Sequence, residues 1–413
     1  MRKKKGPAPL LMEIEPACKY FGRCGGCMYQ GITLKREEEI KTKEIRDLFV
    51  PELGDELFDE IFEGIIQSPE VDGYRNKMEF SFGDSMKDGP LELGMHRRGS
   101  FYDIVTVDGC RIADEDFSLA IRATLDFFRE KGATYFHKMR HTGFLRHLLV
   151  RKAKKTGEIL IDIVTTSGSE EVADPVALLT EYAQMLVSQP FSGKLTGVLH
   201  TTNDSVADTI TDQGTEVLWG NDYFFEELLG LKFKITPFSF FQTNSLGAEL
   251  LYGKAREYIK SSKADGLGTL FDLYSGTGTI AQIMSPAAAE VIGIEIVEEA
   301  VIAARENAEL NGLTNCKFIA GDVLKELTNV EEKPDYIILD QPRDGVHPKA
   351  LKMILDYGVD NILYIACKAS SLSRDLPVMR AAGYEPKRMC CVEMFPRTKN
   401  IETVCLLSRK APV

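Results

Sequence analysis

The chain has 413 residues, 44% of them hydrophobic and 27% charged, with a formal net charge of −12. That length exceeds what one ordinary core accommodates and predicts two domains, in a soluble cytoplasmic protein with no bilayer-spanning run. The acidic balance excludes a protein that coats nucleic acid through bulk charge.

Residues 1–16, MRKKKGPAPLLMEIEP, combine basic residues with no sustained apolar core, so they read as a short basic tail and not as a secretory signal. A mixed first half, residues 17–232, opens on ACKYFGRCGGCMYQ. This segment spaces Cys18, Cys24 and Cys27 as C-x5-C-x2-C, and Cys110 follows far along in VDGCRI. Four thiolates in a cytosolic chain suit zinc or an iron–sulfur cluster, the alternative being unrelated buried thiols. Beyond them, ITLKREEEIKTKEIRDLF predicts a helix, and KMEFSFG, LRHLLVRKA and EILIDIVTT predict strands. Residues 136–155 hold seven Lys or Arg and three His with no Asp or Glu. Such a run fits either a phosphate-tracking surface or a solvated strand face.

From 233 to 413 the rhythm becomes regular. The short apolar runs TLFDLY, VIGIEI, CKFIA, YIILD and ILYIA alternate with helical patterns such as EEAVIAARENAELNGL. This alternation predicts βαβ units and a doubly wound parallel sheet, whose ligands sit beyond the carboxyl ends of the strands. After the first strand, FDLYSGTGTIA offers Gly276 and Gly278 for close backbone approach, followed by the free N–H groups of a helix start. Glu295, nineteen residues beyond Gly276, is suited to ribose hydroxyls. An adenosine-type cofactor is expected. Gly276 to Ala281 also fits G-x-G-x-x-[G/A], so this segment alone leaves NAD and S-adenosylmethionine both open. Later strand ends carry Asp322 in AGDV, Asp340 in LDQPRDG and Cys367 in LYIAC. A thiol among acids suits methyl transfer to carbon, for which hydride transfer has no use. Residues 368–410, with nine Lys or Arg against four Asp or Glu, add a second basic region.

In their order these motifs resemble the uracil-C5 RNA methyltransferases, over nearly the whole chain. The resemblance implies an α/β architecture: a C-terminal doubly wound, Rossmann-like S-adenosylmethionine domain (233–413) behind an N-terminal mixed α+β iron–sulfur and RNA-binding domain (17–232). Residue by residue, it implies cofactor contacts at Gln242 in FFQTNSLGAELLY, at Tyr274 and Thr279 in the segment from Asp272 to Thr279, and at Glu295, Asp322 and Asp340. Cys367 falls on the family's nucleophile, and Glu402 in MFPRTKNIETVCLL on its general base. Cys18, Cys24, Cys27 and Cys110 fall on the ligands of a [4Fe-4S] cluster that is structural or connected with RNA binding. GYRNKMEFSFG, with Arg75 and Lys77, is similar to a segment near the substrate surface. Where the family has D-P-P-R this chain has Asp340-Gln341-Pro342-Arg343, and where it has S-C-N-P this chain has Ala366-Cys367-Lys368-Ala369. Arg397 and Asn400 replace two histidines. The resemblance implies 5-methyluridine formation in RNA, with 23S ribosomal RNA favoured over transfer RNA; the sequence leaves the oligomeric state open, with a monomer expected. The rival readings are a non-catalytic RNA-binding protein that keeps the cofactor fold and a nicotinamide oxidoreductase.

Overall fold

The structure, a computed structural model, describes residues 15, 17–262, 267–329, 333–341 and 345–410. The expected basic tail lies outside them except for Glu15, as do Pro342 and Arg343.

Two sheets organise the chain. The larger has eight strands in the order Phe62–Ile66, Tyr384–Val392, Glu402–Arg409, Asn361–Ala366, Tyr336–Gln341, Leu267–Leu273, Ala288–Glu295 and Cys316–Ala320. Every neighbour pair is parallel except the two made by Glu402–Arg409, which is antiparallel on both sides. Continuous apolar runs explain the central strands: Ile337, Ile338, Leu339, Ile362, Leu363 and Tyr364 are fully buried, as both faces of a parallel sheet require. Helices Ser245–Ser262, Thr279–Met284, Glu298–Leu310, Pro348–Tyr357 and Ala369–Ala381 form the covering layers. Strand order reverses between Leu267–Leu273 and Tyr336–Gln341, which opens the crevice where such sheets bind ligands.

The smaller sheet has seven strands, in the order Ile104–Thr106, Glu92–His96, Lys77–Gly83, Leu145–Lys152, Glu158–Thr165, Lys194–Thr202 and Thr215–Gly220. Helices Glu115–Glu130 and Pro175–Val187 pack on it, around Phe80, Phe117, Phe128, Leu148 and Tyr182. Several pieces of the first 232 residues attach to the eight-stranded sheet or its helices instead, among them the helices Leu34–Leu53 and Asp55–Ile61, which bury Ile45, Phe49 and Phe58 in its core. Strand Phe62–Ile66 pairs with Tyr384–Val392. The hairpin of Phe224–Leu228 and Leu231–Ile235, which spans position 232, donates Lys232 N to Asn311 Oδ1 (2.8 Å) and Lys234 N to Asn307 Oδ1 (2.8 Å).

The basic run 136–155 does not lie wholly on the surface. Arg146, His147 and Arg151 are buried. Arg146 donates to the carbonyls of Asn203, Ser205 and Ala207, and Arg151 to that of Ser239 (2.6 Å), so these cations staple loops instead of facing a phosphate backbone. Alternation in the strand Leu145–Lys152 does not predict this, because loops cover what would otherwise be its polar face. No helix of the described residues is long and apolar enough to cross a membrane.

Candidate active site

At the carboxyl end of Leu267–Leu273 the chain turns through Tyr274 (φ 64°), Gly276 (φ 52°) and Gly278 (φ 73°) into the helix Thr279–Met284. A Cβ at Gly278 would stand 2.5 Å from the Phe318 ring and 2.8 Å from Ala304, so only glycine fits between this loop and the next layer. Gly276 has open space above it, and its N–H donates to Glu295 Oε2 (3.0 Å), which joins the two expected cofactor elements. Beneath them Asp272 is buried and accepts from Ala281 N (3.0 Å). Asp272 Oδ1 and Ser275 Oγ are both buried without a hydrogen-bond partner, so the cradle retains polar atoms that a ligand can satisfy. Tyr274 and Asp322 sit close enough that the carboxylate, after burial, raises the phenol's pKa. Thr279 opens the helix, and Asp322 Oδ1 accepts from Leu324 N (3.0 Å).

Across the crevice, sequence reasoning passes over Tyr252 as a core aromatic of the helix Ser245–Ser262. It is 2% exposed, and its phenol is held well above its ordinary pKa by burial first and then by Asp340, while a hydrogen bond with Gln242 opposes the shift; Glu402 and Asp272 act in the same direction as Asp340. Tyr252 thus gathers Gln242, Asp340, Glu402 and Asp272 around one ring. Asn76, from the smaller sheet, fixes the Gln242 segment by donating to the Gln242 carbonyl (2.9 Å) and to Ser245 Oγ (2.9 Å).

Cys367 and Glu402 meet through strand register. Ala366 pairs with Thr403 in the antiparallel ladder, so one step further Cys367 and Glu402 are neighbours at the same sheet end. Cys367 is half-buried two residues before the helix Ala369–Ala381, whereas Glu402 is 2% exposed. Of the cations near it in sequence, Lys368 is exposed and Arg374 is paired with Asp375.

Burial pushes the Asp340 carboxyl up to about 7, and burial followed by the Asp340 charge pushes Asp272 up to about 8. Both acids therefore bind protons more readily in the folded chain than at the unfolded value of 3.8. The stability this confers is full below pH 3.8 and is lost as pH rises through about 7 and 8. Asp272→Asn is expected to flatten that fall, as read from denaturant midpoints at pH 5 and pH 8.

The four N-terminal cysteines are all half-buried and line one cavity of about 590 Å³, together with Arg75, Lys77 and Thr243. Burial, reinforced by Cys110, Cys24 and Cys18, pushes the Cys27 thiol up to about 11; burial is likewise the first cause of the raised Cys24 and Cys110 thiols. Gly26 N donates to Cys24 Sγ (3.3 Å) and Gln30 Nε2 to Cys27 Sγ (3.9 Å), the kind of contact that supports a ligated sulfur. The donor set and the space suit a sulfur-ligated group. Among the described residues, however, no three His, Cys, Asp or Glu side chains converge to hold a metal ion as they stand.

A family model described as a methyltransferase domain matches residues 265–372. An uncharacterized RNA methyltransferase of Clostridium tetani is 48% identical over 401 residues, which covers 97% of this chain and 85% of the relative. One of Caldanaerobacter subterraneus is 47% identical, covering 96% and 85%. The chain belongs to this RNA methyltransferase family. Among solved structures, the Pyrococcus abyssi tRNA (uracil-54, C5)-methyltransferase in complex with S-adenosyl-L-homocysteine matches with a TM-score of 0.73 and 26% identity, over 93% of this chain and 86% of that one.

Proposed function

We propose that the protein transfers a methyl group from S-adenosylmethionine to C5 of a uridine in RNA through a covalent adduct on Cys367. The observation that carries this reading is the strand register that brings Cys367 and Glu402 to the same end of the sheet as the glycine loop. S-adenosylmethionine supplies an electrophilic methyl group; Tyr274, Thr279, Glu295 and Asp322 would hold it, with Gln242 and Asp340 toward the reacting end. The Cys367 thiolate adds to C6 of the uracil, and the electron pair this places on C5 would form the new bond to the methyl carbon as the sulfur–methyl bond breaks and S-adenosylhomocysteine leaves. Glu402 then removes the C5 proton, the C5–C6 double bond re-forms and the thiolate leaves. The uridine must be unstacked to reach both residues.

An exposed edge of the smaller sheet supports RNA as the partner. Phe101 (85% exposed), Tyr102 and Met139 lie in its loops with the exposed Arg23 and Arg98, and with Arg97, Lys138 and Arg140, which pair with Asp103, Asp208 and Asp88. Contacts tie these loops together: Arg98 N donates to Arg23 O (2.7 Å), and His96 and Lys138 both pair with Asp208. Aromatic faces among cations suit unpaired bases and their phosphates, and they reconcile RNA binding with an acidic chain.

Ribosomal RNA is the favoured substrate, as the resemblance to cluster-bearing uracil-C5 methyltransferases implies. Transfer RNA is the second reading, supported by the substrate in the name of the Pyrococcus abyssi neighbour. Methyl transfer from labelled S-adenosylmethionine to unmodified rRNA and tRNA pools, followed by nucleoside analysis, tests both. Label in 5-methyluridine is expected, and label in another nucleoside or in none would overturn the reading. A [4Fe-4S] cluster on Cys18, Cys24, Cys27 and Cys110 completes the proposal. Anaerobically purified protein is expected to contain iron and sulfide, and zinc alone would exclude the cluster.

A further inference from the structure

The loop of residues 393–401, which delivers Glu402 to its strand, is held from the first third of the chain. Arg397, a departure from the histidine pattern, is its centre: 3% exposed and in the left-handed region at φ 70°. For a residue with a Cβ that conformation is unfavourable and persists only where surrounding contacts impose it. They do so here. The Arg397 carbonyl accepts from Met28 N (2.8 Å) and Tyr29 N (3.0 Å), immediately after Cys27. Its N–H donates to Glu37 Oε1 (2.8 Å), and its guanidinium donates to Ile32 O (2.6 Å) and Glu15 Oε2 (2.5 Å). Lys41, 1% exposed, lies between Glu37 and Glu393 and reaches Asn400 O (3.5 Å), while Tyr74 Oη donates to Pro396 O (3.0 Å). Buried charges are expensive to keep unless every partner stays in place, which makes this network a device for one geometry more than a source of stability.

We propose that Arg397 is a positioning residue for the proton-removing half of the reaction. It locks the Glu402 loop onto the Cys18 to Tyr29 segment, so the base is aligned only when that segment is folded. The inference rests on Glu402 being the base. The nucleophile follows a different strand, Asn361–Ala366, and adduct formation does not depend on this lock.

The test compares wild type with Arg397→Met, Arg397→Lys and Glu402→Gln on ordinary and 5-fluorouridine RNA. Arg397→Met is expected to lose about 10- to 100-fold in kcat at unchanged KM, the scale of a slight misplacement. It should accumulate methylated RNA covalently on ordinary substrate, trap 5-fluorouridine RNA as fully as wild type, and be partly rescued in Arg397→Lys. Wild-type kcat in Arg397→Met, or loss of trapping together with turnover, would overturn the proposal. If Arg397→Met fails to fold, Glu37→Gln, which weakens the same lock from the helix Leu34–Leu53, must give the same split in smaller measure, and its absence counts equally against the proposal. Absence of wild-type trapping, or of adduct accumulation in Glu402→Gln, would instead fault the nucleophile or base reading.

Discussion

Replacing Cys367 by alanine is expected to abolish methyl transfer, with kcat falling by about 10⁴- to 10⁶-fold, the range seen when a covalent nucleophile is removed. The reason is chemical: uracil C5 is a poor nucleophile until addition at C6 sends electrons into it. No described neighbour of Cys367 replaces the thiolate in that step. Lys368 is exposed and points the chain into a helix start, and Glu402 is acidic and buried. Folding should survive, because Cys367 is only half-buried and the packing at this strand end comes from Ala366 and Ala369. Thermal unfolding and RNA retention at wild-type levels, alongside lost turnover, separate this result from a structural defect. Cys367→Ser should be nearly as inactive, since a hydroxyl yields far less anion at neutral pH than a thiol.

Glu402→Gln is expected to behave differently. It keeps the side-chain shape at the first position of the strand Glu402–Arg409 but cannot accept a proton. Addition and methyl transfer should proceed, while loss of the C5 proton slows, so kcat falls by about 10²- to 10⁴-fold. The enzyme should then appear covalently joined to methylated RNA on a denaturing gel, with ordinary uridine as substrate. A Glu402→Gln protein that is slow yet shows no such adduct would place the acid before the covalent step and remove it as the base. The contrast between the two variants is more informative than either loss alone, since one abolishes the intermediate and the other preserves it.

Much of the methyltransferase half is legible in the sequence because its strands are buried on both faces. CKFIA coincides with the strand Cys316–Ala320, and ILYIA differs from Asn361–Ala366 by one residue. The glycine turn and Glu295 are legible for a related reason: φ angles of 52° and 73° and a close approach to Phe318 require glycine there. What stays hidden depends on partners distant in the chain. FEGII is too short and irregular to announce a strand, and Phe62–Ile66 exists because Tyr384–Val392 supplies an edge for it. Glu37 and Lys41 look like an exposed i,i+4 pair on a charged helix. They are buried because Arg397 and Glu393 arrive from the far end of the chain. Tyr252 reads as one more core aromatic until the fold brings Gln242, Asp340 and Glu402 to it. Arg146 and Arg151, read within a basic surface run, turn inward because loops from residues 203–207 and 239 offer carbonyls to them.

The proposed covalent step is tested in one experiment. RNA carrying 5-fluorouridine at the target position is incubated with the wild-type protein and S-adenosylmethionine, then digested and mapped by mass spectrometry. Fluorine at C5 cannot leave as a proton, so the reaction halts after methyl transfer with the enzyme still attached. The proposed mechanism predicts one cross-linked peptide, bearing a methylated 5-fluorouridine on Cys367. An absent cross-link with RNA that the protein does methylate, or a cross-link through any other residue, would contradict the account.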